Sequence, residues 1–395
     1  MADQPSGGPV TNPHSWADMD LAALQHNLRA ARSAAPRATL CAVVKANAYG
    51  HGTAPAVKAL QAAMTAGDQF AVVTLAEALA LQQVVGATQR PVLAMRGALD
   101  QQEMTQLLAA GIEFVIHSEW QLALLKRSLV EGVSTPDASL RVWIKVNTGM
   151  NRLGLPLQDV PRVWHELATL AEQHGLICHR TLMSHLATSD DLAGPLTARQ
   201  RERLEALRGQ LSLTSRDRIS LAASAGILAW PETHCSVVRP GIMLYGASPL
   251  LGRTGEQEGL RPVMNLKSRL IALNQVEAGD SIGYGATYQS QQEMKVGIIG
   301  IGYGDGYPRH APTGTPVLVH ARGRQVHEQT LVGRVSMDML AVDLTGVDAQ
   351  VGDEVLLWGQ AWGAQLPAER IADLCQTITY ELFCQVTARV QFHYR

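Results

Sequence analysis

Lys45 closes an apolar run, Leu40–Val44, and is followed at once by Ala-Asn-Ala-Tyr-Gly-His-Gly. A lysine at the end of a buried strand is partly desolvated, which lowers its pKa and makes the amine nucleophilic. A lysine that merely leaves the core for solvent gives the same local pattern. Tyr49, Gly50, His51 and Gly52 tilt the reading toward chemistry, because glycines beside a strand end let a ligand approach the backbone. Two other signals carry less. The run Gly300-Ile-Gly-Tyr-Gly-Asp-Gly306 lacks the register of a dinucleotide loop opening a helix. The 13 histidines form no cluster with metal-ligand spacing and paired cysteines, so no metal is expected.

The segment around Lys45, AVVKANAYGHG (Ala42–Gly52), resembles the cofactor-attachment motif of alanine racemases. The resemblance continues in order through KVNTGMNRLG (Lys145–Gly154), SHLATSD (Ser184–Asp190), VRPGIMLYG (Val238–Gly246), IGYGATY (Ile282–Tyr288), IGYGDGYPR (Ile301–Arg309) and GRVSMDM (Gly333–Met339). It reaches from Trp16 to Arg389. It implies a pyridoxal 5'-phosphate enzyme that interconverts L- and D-alanine by a two-base mechanism. The product would supply peptidoglycan or enter alanine catabolism.

Such a reaction removes a proton from Cα and returns one on the opposite face. The cofactor supplies the electron sink and the protein supplies the two bases. The resemblance assigns Lys45 as the Schiff-base lysine and the base for the D-isomer's proton, and Tyr284 as the opposite base, delivered from a partner subunit. A tyrosine of ordinary pKa, near 10, is a poor base at neutral pH. His185 with Arg239 is similar to the relay that would assist it. Arg239 also resembles the arginine that hydrogen-bonds the pyridine nitrogen; a guanidinium cannot readily give that nitrogen a proton, so the ring is a weaker electron sink and side reactions are suppressed. The phosphate would rest on the N–H groups of Gly241 and Ile242, the Ser224 hydroxyl and the Tyr49 phenol. Arg152 would bind the substrate carboxylate, closed off by the Met337 amide and Asp338 of the partner. Lys145 matches a lysine often found carbamylated.

Three positions depart from the family pattern: Ala223 where Asn often precedes the serine, Asn147 where Asp often follows Lys-Val, and Ala388 where a tyrosine commonly narrows the mouth. Losing that phenol removes a hydrogen bond of about 1 kcal/mol. A broader racemase acting on serine is therefore a second reading. A non-catalytic pyridoxal-phosphate-binding barrel would need Lys45 but no second base, and a decarboxylase would favour an acid where Arg239 stands.

The elements that must position these residues follow a regular rhythm. Apolar runs at Leu40–Val44, Phe70–Thr74, Pro91–Met95, Ile112–Ile116, Leu140–Val146, Thr181–His185, Ile219–Ala222 and Val237–Leu244 alternate with helical stretches. These stretches include Leu75–Val85, Gln121–Leu129, Val160–Gln173 and Leu196–Leu211, and the helix Leu21–Ala34 precedes the first run. Strands apolar throughout, alternating with helices, predict a parallel sheet. About eight such units predict a (β/α)₈ barrel of the α/β class, with a doubly wound open sheet as the alternative. Beyond a Gly/Glu/Gln-rich stretch at Arg253–Gly259 the pattern becomes short strands and turns. Examples are Val317–His320, a turn at Ala321–Arg324 and Gln325–His327, with one helix at Pro367–Cys375. The expected division is a disordered tail over 1–15, a barrel over 16–255 and a mostly β domain over 256–395. Of the 395 residues 33 are basic and 35 acidic, a net charge of −2 that offers no footprint for nucleic acid or an anionic membrane. Five scattered cysteines and the lack of a signal segment or spanning run lead to the expectation of a cytoplasmic protein, and the resemblance implies a homodimer acting on a small amino acid.

Overall fold

The computed structural model describes residues 12–86, 90–321 and 325–395. Eight parallel strands, Thr39–Val43, Gln69–Val72, Val92–Ala94, Glu113–Ile116, Ser139–Lys145, Ile177–Met183, Arg218–Ala223 and Val237–Arg239, close into a barrel. Closure is made by Thr39 and Leu40 against Val237 and Val238, so the sheet is not open. Each strand overlaps one of the apolar runs, although Ile177–Met183 begins and ends ahead of the expected Thr181–His185. Only the last is much shorter than expected: Pro240 offers no N–H to continue the ladder, and Ile242–Tyr245 winds into a tight helical turn.

The helices Leu21–Ala34, Leu75–Val85 and Val160–Gln173 have the bounds that periodicity predicts. Asp20 caps the first by accepting from the Ala23 N–H at 2.8 Å, and Leu24, Leu28 and Ala31 form its buried stripe. Thr53–Gln61 and Gln101–Ala109 are further helices, which periodicity leaves unmarked.

The barrel interior is closed at the N-terminal ends of its strands. There the Glu113 carboxylate accepts from Trp143 Nε1 at 2.6 Å, Arg218 Nη2 at 3.1 Å and Gln69 Nε2 at 3.2 Å. All three donors converge on one oxygen, Oε2, and a buried carboxylate is tolerable only when it is paired and hydrogen-bonded in this way. With the floor sealed by side chains, the open space lies at the C-terminal ends, where such barrels carry their chemistry.

The rest of the chain builds a nine-stranded sheet. Its central strand, Met264–Val276, pairs with Glu354–Ala361 and Ser15–Met19 and, further along its length, with Met294–Ile299. Ser15–Met19, expected with the barrel from Trp16 onward, thus lies in the second sheet, antiparallel to Met264–Val276 and parallel to Gln391–Tyr394. Its five residues are all buried between partners remote in sequence, a placement no local pattern reports. Most of the expected tail lies outside the described residues. So do residues 322–324 of the expected turn, whose flanking strands Pro316–His320 and Val326–Thr330 pair antiparallel. The helix Ala368–Leu374 forms where expected; a second, Thr379–Gln385, follows it, and Gln391–Tyr394 is the last strand. No helix among the described residues is long and apolar enough to cross a membrane.

Candidate active site

A cavity of about 740 Å³ opens at the C-terminal ends of the barrel strands. Lys45, Tyr49, Lys145, Arg152, His185, Ser224, Arg239, Gly241 and Ile242 all line it. They come from five different strand ends, so only closure of the barrel brings them together.

Lys45 leaves the first barrel strand into an unusual turn. Ala46, Asn47, Ala48 and Tyr49 have φ of 51, 54, 53 and 53°, the left-handed region. For residues other than glycine each such conformation costs about 1–2 kcal/mol. The turn is closed by Ala48 N–H to Val44 O and Gly50 N–H to Ala46 O, each at 3.0 Å. It is pressed from outside by the second domain: a Cβ on Gly50 would lie 2.1 Å from Phe383 O. The Lys45 amine is held below the usual lysine range, first by burial and then by the Arg152 guanidinium.

The cavity wall opposite is cationic. Arg239 is 3% exposed and has no carboxylate partner among the described residues. Its Nη1 donates to Ser220 Oγ, and its Nη2 donates to Ser184 O at 2.7 Å and Leu221 O at 3.1 Å and reaches His185 Nδ1 at 3.5 Å. Burial pushes its pKa down to about 10, which leaves it charged at neutral pH. Burial, reinforced by Arg239, pushes His185 down to about 3, so its imidazole is neutral and Nδ1 faces Arg239 as an acceptor. Lys145 is 7% exposed, and its amine makes no hydrogen bond among the described residues. Burial and then the charges of Arg239, Arg152 and Lys45 push its amine down to about 8.

At one side, Ser224 Oγ accepts the Gly241 N–H at 2.9 Å and the Met243 N–H at 3.4 Å. A Cβ on Gly241 would sit 2.7 Å from Tyr49 Oη, so the backbone and the phenol approach as closely as they do only because the residue is glycine. Tyr49 is fixed by stacking on Tyr245 at 4.7 Å, with Tyr380 of the second domain tilted against it at 5.8 Å. Burial raises the Tyr49 pKa, so it stays a neutral donor.

Arg152 is exposed on a loop organised by Asn147. The Asn147 Oδ1 accepts the N–H groups of Gly149 and Asn151 at 3.1 and 3.0 Å, while its Nδ2 donates to Asn151 Oδ1 at 2.8 Å. An aspartate could accept but could not make that last bond. The remaining predicted residues are elsewhere. Tyr284, 71% exposed, stands on a turn between the short strands Ser281–Ile282 and Tyr288–Gln289. Met337 is 52% exposed, and Asp338 pairs with Arg389 at 2.7 Å. Within one chain none of the three lines the cavity.

Residues 19–249 match the family profile "Alanine racemase, N-terminal domain", and residues 263–394 match "Alanine racemase, C-terminal domain". The chain belongs to the alanine racemase family. It is 43% identical over 379 residues to an alanine racemase of Halorhodospira halophila, covering 95% of this chain and 96% of that protein. Its structure resembles the biosynthetic alanine racemase of Pseudomonas aeruginosa with a TM-score of 0.85 at 39% identity, over 97% of this chain and 99% of the other. It also resembles an alanine racemase of Bartonella henselae with covalently bound pyridoxal phosphate, with a TM-score of 0.82 at 27% identity over 97% and 99%.

Several side chains that shape the family site here were not singled out by sequence reasoning. Gln200 donates to Thr148 Oγ1 and His185 O and accepts the Ala187 N–H, tying the Arg152 and His185 loops together. Glu369 accepts the N–H groups of Ser248 and Gly255, both at 2.8 Å, docking the helix Ala368–Leu374 onto the barrel rim. Glu77 reaches the Ala46 N–H at 2.8 Å. Of these, only Glu77 left a local mark, as the last residue of a Thr74-x-x-Glu77 capping box.

Proposed function

We infer that this chain is a pyridoxal 5'-phosphate-dependent alanine racemase that works as a homodimer. One observation carries the reading: a partly desolvated amine, Lys45, shares its cavity with a buried arginine that no carboxylate among the described residues neutralises. The donor set also fits the cofactor. The hydroxyls of Tyr49 and Ser224, the Ile242 N–H and the Gly241 backbone, whose N–H is given to Ser224 Oγ and whose absent Cβ leaves room, make a cradle for a phosphate. Lys45 would hold the aldehyde covalently. The Arg239 Nη groups are committed to the protein, which leaves Nε as the donor to a ring nitrogen. When bound, the cofactor supplies the electron withdrawal that makes an amino-acid Cα–H acidic.

The protein's own work is then positional. Arg152, loosely held at the mouth, grips the substrate carboxylate with its fork of donors. Lys45 Nζ takes or returns the Cα proton on one face. Tyr284 of the partner subunit does so on the other. The exposed turn bearing Tyr284, with Met337 and Asp338, is a half-site that completes the cavity only across two copies. His185, neutral, and Arg239, charged, form a pair that orients the guanidinium without handing it a carboxylate. Lys145, with its amine near pKa 8, is neutral often enough at neutral pH to take up CO2. The carbamate would set an anion beside Arg152 and relieve the crowding of cations. The site serves a cytoplasmic metabolism of D-alanine.

The test is to incubate the protein with pyridoxal 5'-phosphate and single enantiomers of alanine, serine and lysine in deuterated water. Loss of optical rotation with deuterium at Cα, fastest for alanine, is the expected result. Retention of rotation for every amino acid contradicts the reading. Faster loss with serine replaces alanine as the substrate and points to the opening left by Ala388.

A further inference from the structure

The Ala46 N–H, directly after Lys45, begins the left-handed turn and has no acceptor within it. Glu77 Oε1 fills that place at 2.8 Å, from the next βα unit of the barrel. The other oxygen, Oε2, accepts the N–H groups of Val73 and Thr74 at 3.0 Å each and the Thr74 hydroxyl at 3.2 Å, while Thr74 Oγ1 accepts the Glu77 N–H. One half-buried carboxylate thus caps two turns of opposite hand, the right-handed helix Leu75–Val85 and the left-handed turn Ala46–Tyr49.

We propose that Glu77 is the positioning residue for Lys45, holding the strained turn that aims the amine into the cavity. Every contact made by its side-chain oxygens is with a donor, so both must be acceptors. Glutamine cannot replace it: the amide oxygen would stay with the donors of Val73 and Thr74, and the amide nitrogen would face the Ala46 N–H, donor against donor. The carboxylate is held below its usual range, because although burial raises it, the donors from Ala46, Thr74 and Val73 more than offset that. Its negative charge also acts on the Lys45 amine against the Arg152 guanidinium.

The proposal rests on Lys45 being the attachment residue, and the experiment separates the two. Glu77→Gln, Thr74→Val and Lys45→Ala are compared with the unchanged protein. Amide hydrogen exchange over residues 46–49 is measured, together with uptake of pyridoxal 5'-phosphate by its visible absorbance and kcat and KM for alanine. Glu77→Gln is expected to keep its helix content and melting temperature, exchange at 46–49 faster by about tenfold or more, and lose kcat with little change in KM. Thr74→Val loses the right-handed cap and one of the three donors on Oε2 but leaves Oε1 on the Ala46 N–H, so its melting temperature falls while exchange at 46–49 and kcat stay unchanged. Exchange at 46–49 that is the same in Glu77→Gln as in the unchanged protein overturns the proposal. So does an equal loss of kcat in Thr74→Val, which would make the role merely structural. A covalent absorbance retained in Lys45→Ala instead overturns the attachment reading itself.

Discussion

His51 and His185 show how far burial can move a residue's chemistry. The His51 imidazole is fully buried, and its Nδ1 lies 2.8 Å from Tyr49 O, an acceptor only, so Nδ1 carries the proton. Burial pushes it down to about 4, and His185 down to about 3. With folded values below the ordinary 6.5, the unfolded chain binds more protons between these limits. Stability is therefore full above pH about 6.5 and falls as the pH drops toward the folded values, by about 2 kcal/mol per histidine near pH 5. Denaturant unfolding at stepped pH is expected to show the loss, and His51→Asn to show a smaller one; an equal slope in the variant contradicts the assignment. At this scale the sequence was informative where a motif is contiguous: Lys45, Tyr49, Lys145, His185, Ser224 and Arg239 converge on one cavity. It was silent where a side chain acts across space. Thr74-x-x-Glu77 reads as a helix cap, yet the second oxygen's partner depends on a left-handed turn of non-glycine residues that no propensity announces.

Among elements, the pair Ala368–Leu374 and Thr379–Gln385 matters most to the site. It brings Glu369, Tyr380 and Phe383 onto the barrel rim, against the loop Ser248–Gly255, Tyr49 and Gly50. Burial raises the Glu369 pKa despite two N–H donors. Glu369→Ala would leave those donors without an acceptor in a buried place and is expected to cost about 1–3 kcal/mol in urea unfolding. A cost near zero means that the rim does not depend on this contact. The barrel strands were legible because each contains a short apolar run, a signal that survives without knowing neighbours. The second helix was not, because Thr379–Gln385 is a single short stretch with no flanking break to mark it. Nor was Ser15–Met19, whose partners lie some 250 and 375 residues further along the chain.

For the whole molecule, the decisive claim is the proposed division of the chemistry between two chains. The cavity holds Lys45, while Tyr284, Met337 and Asp338 sit exposed on the second domain. The motifs imply that division by resemblance, and the exposure of Tyr284, away from the cavity of its own chain, supports it. Co-expression of Lys45→Ala and Tyr284→Phe chains tests it most directly. Each variant alone is expected to be inactive, but a mixed dimer unites one intact Lys45 with one intact Tyr284. Random pairing then restores roughly a quarter of the unchanged protein's turnover. A co-expressed pair as inactive as either variant would contradict an active site built from two chains.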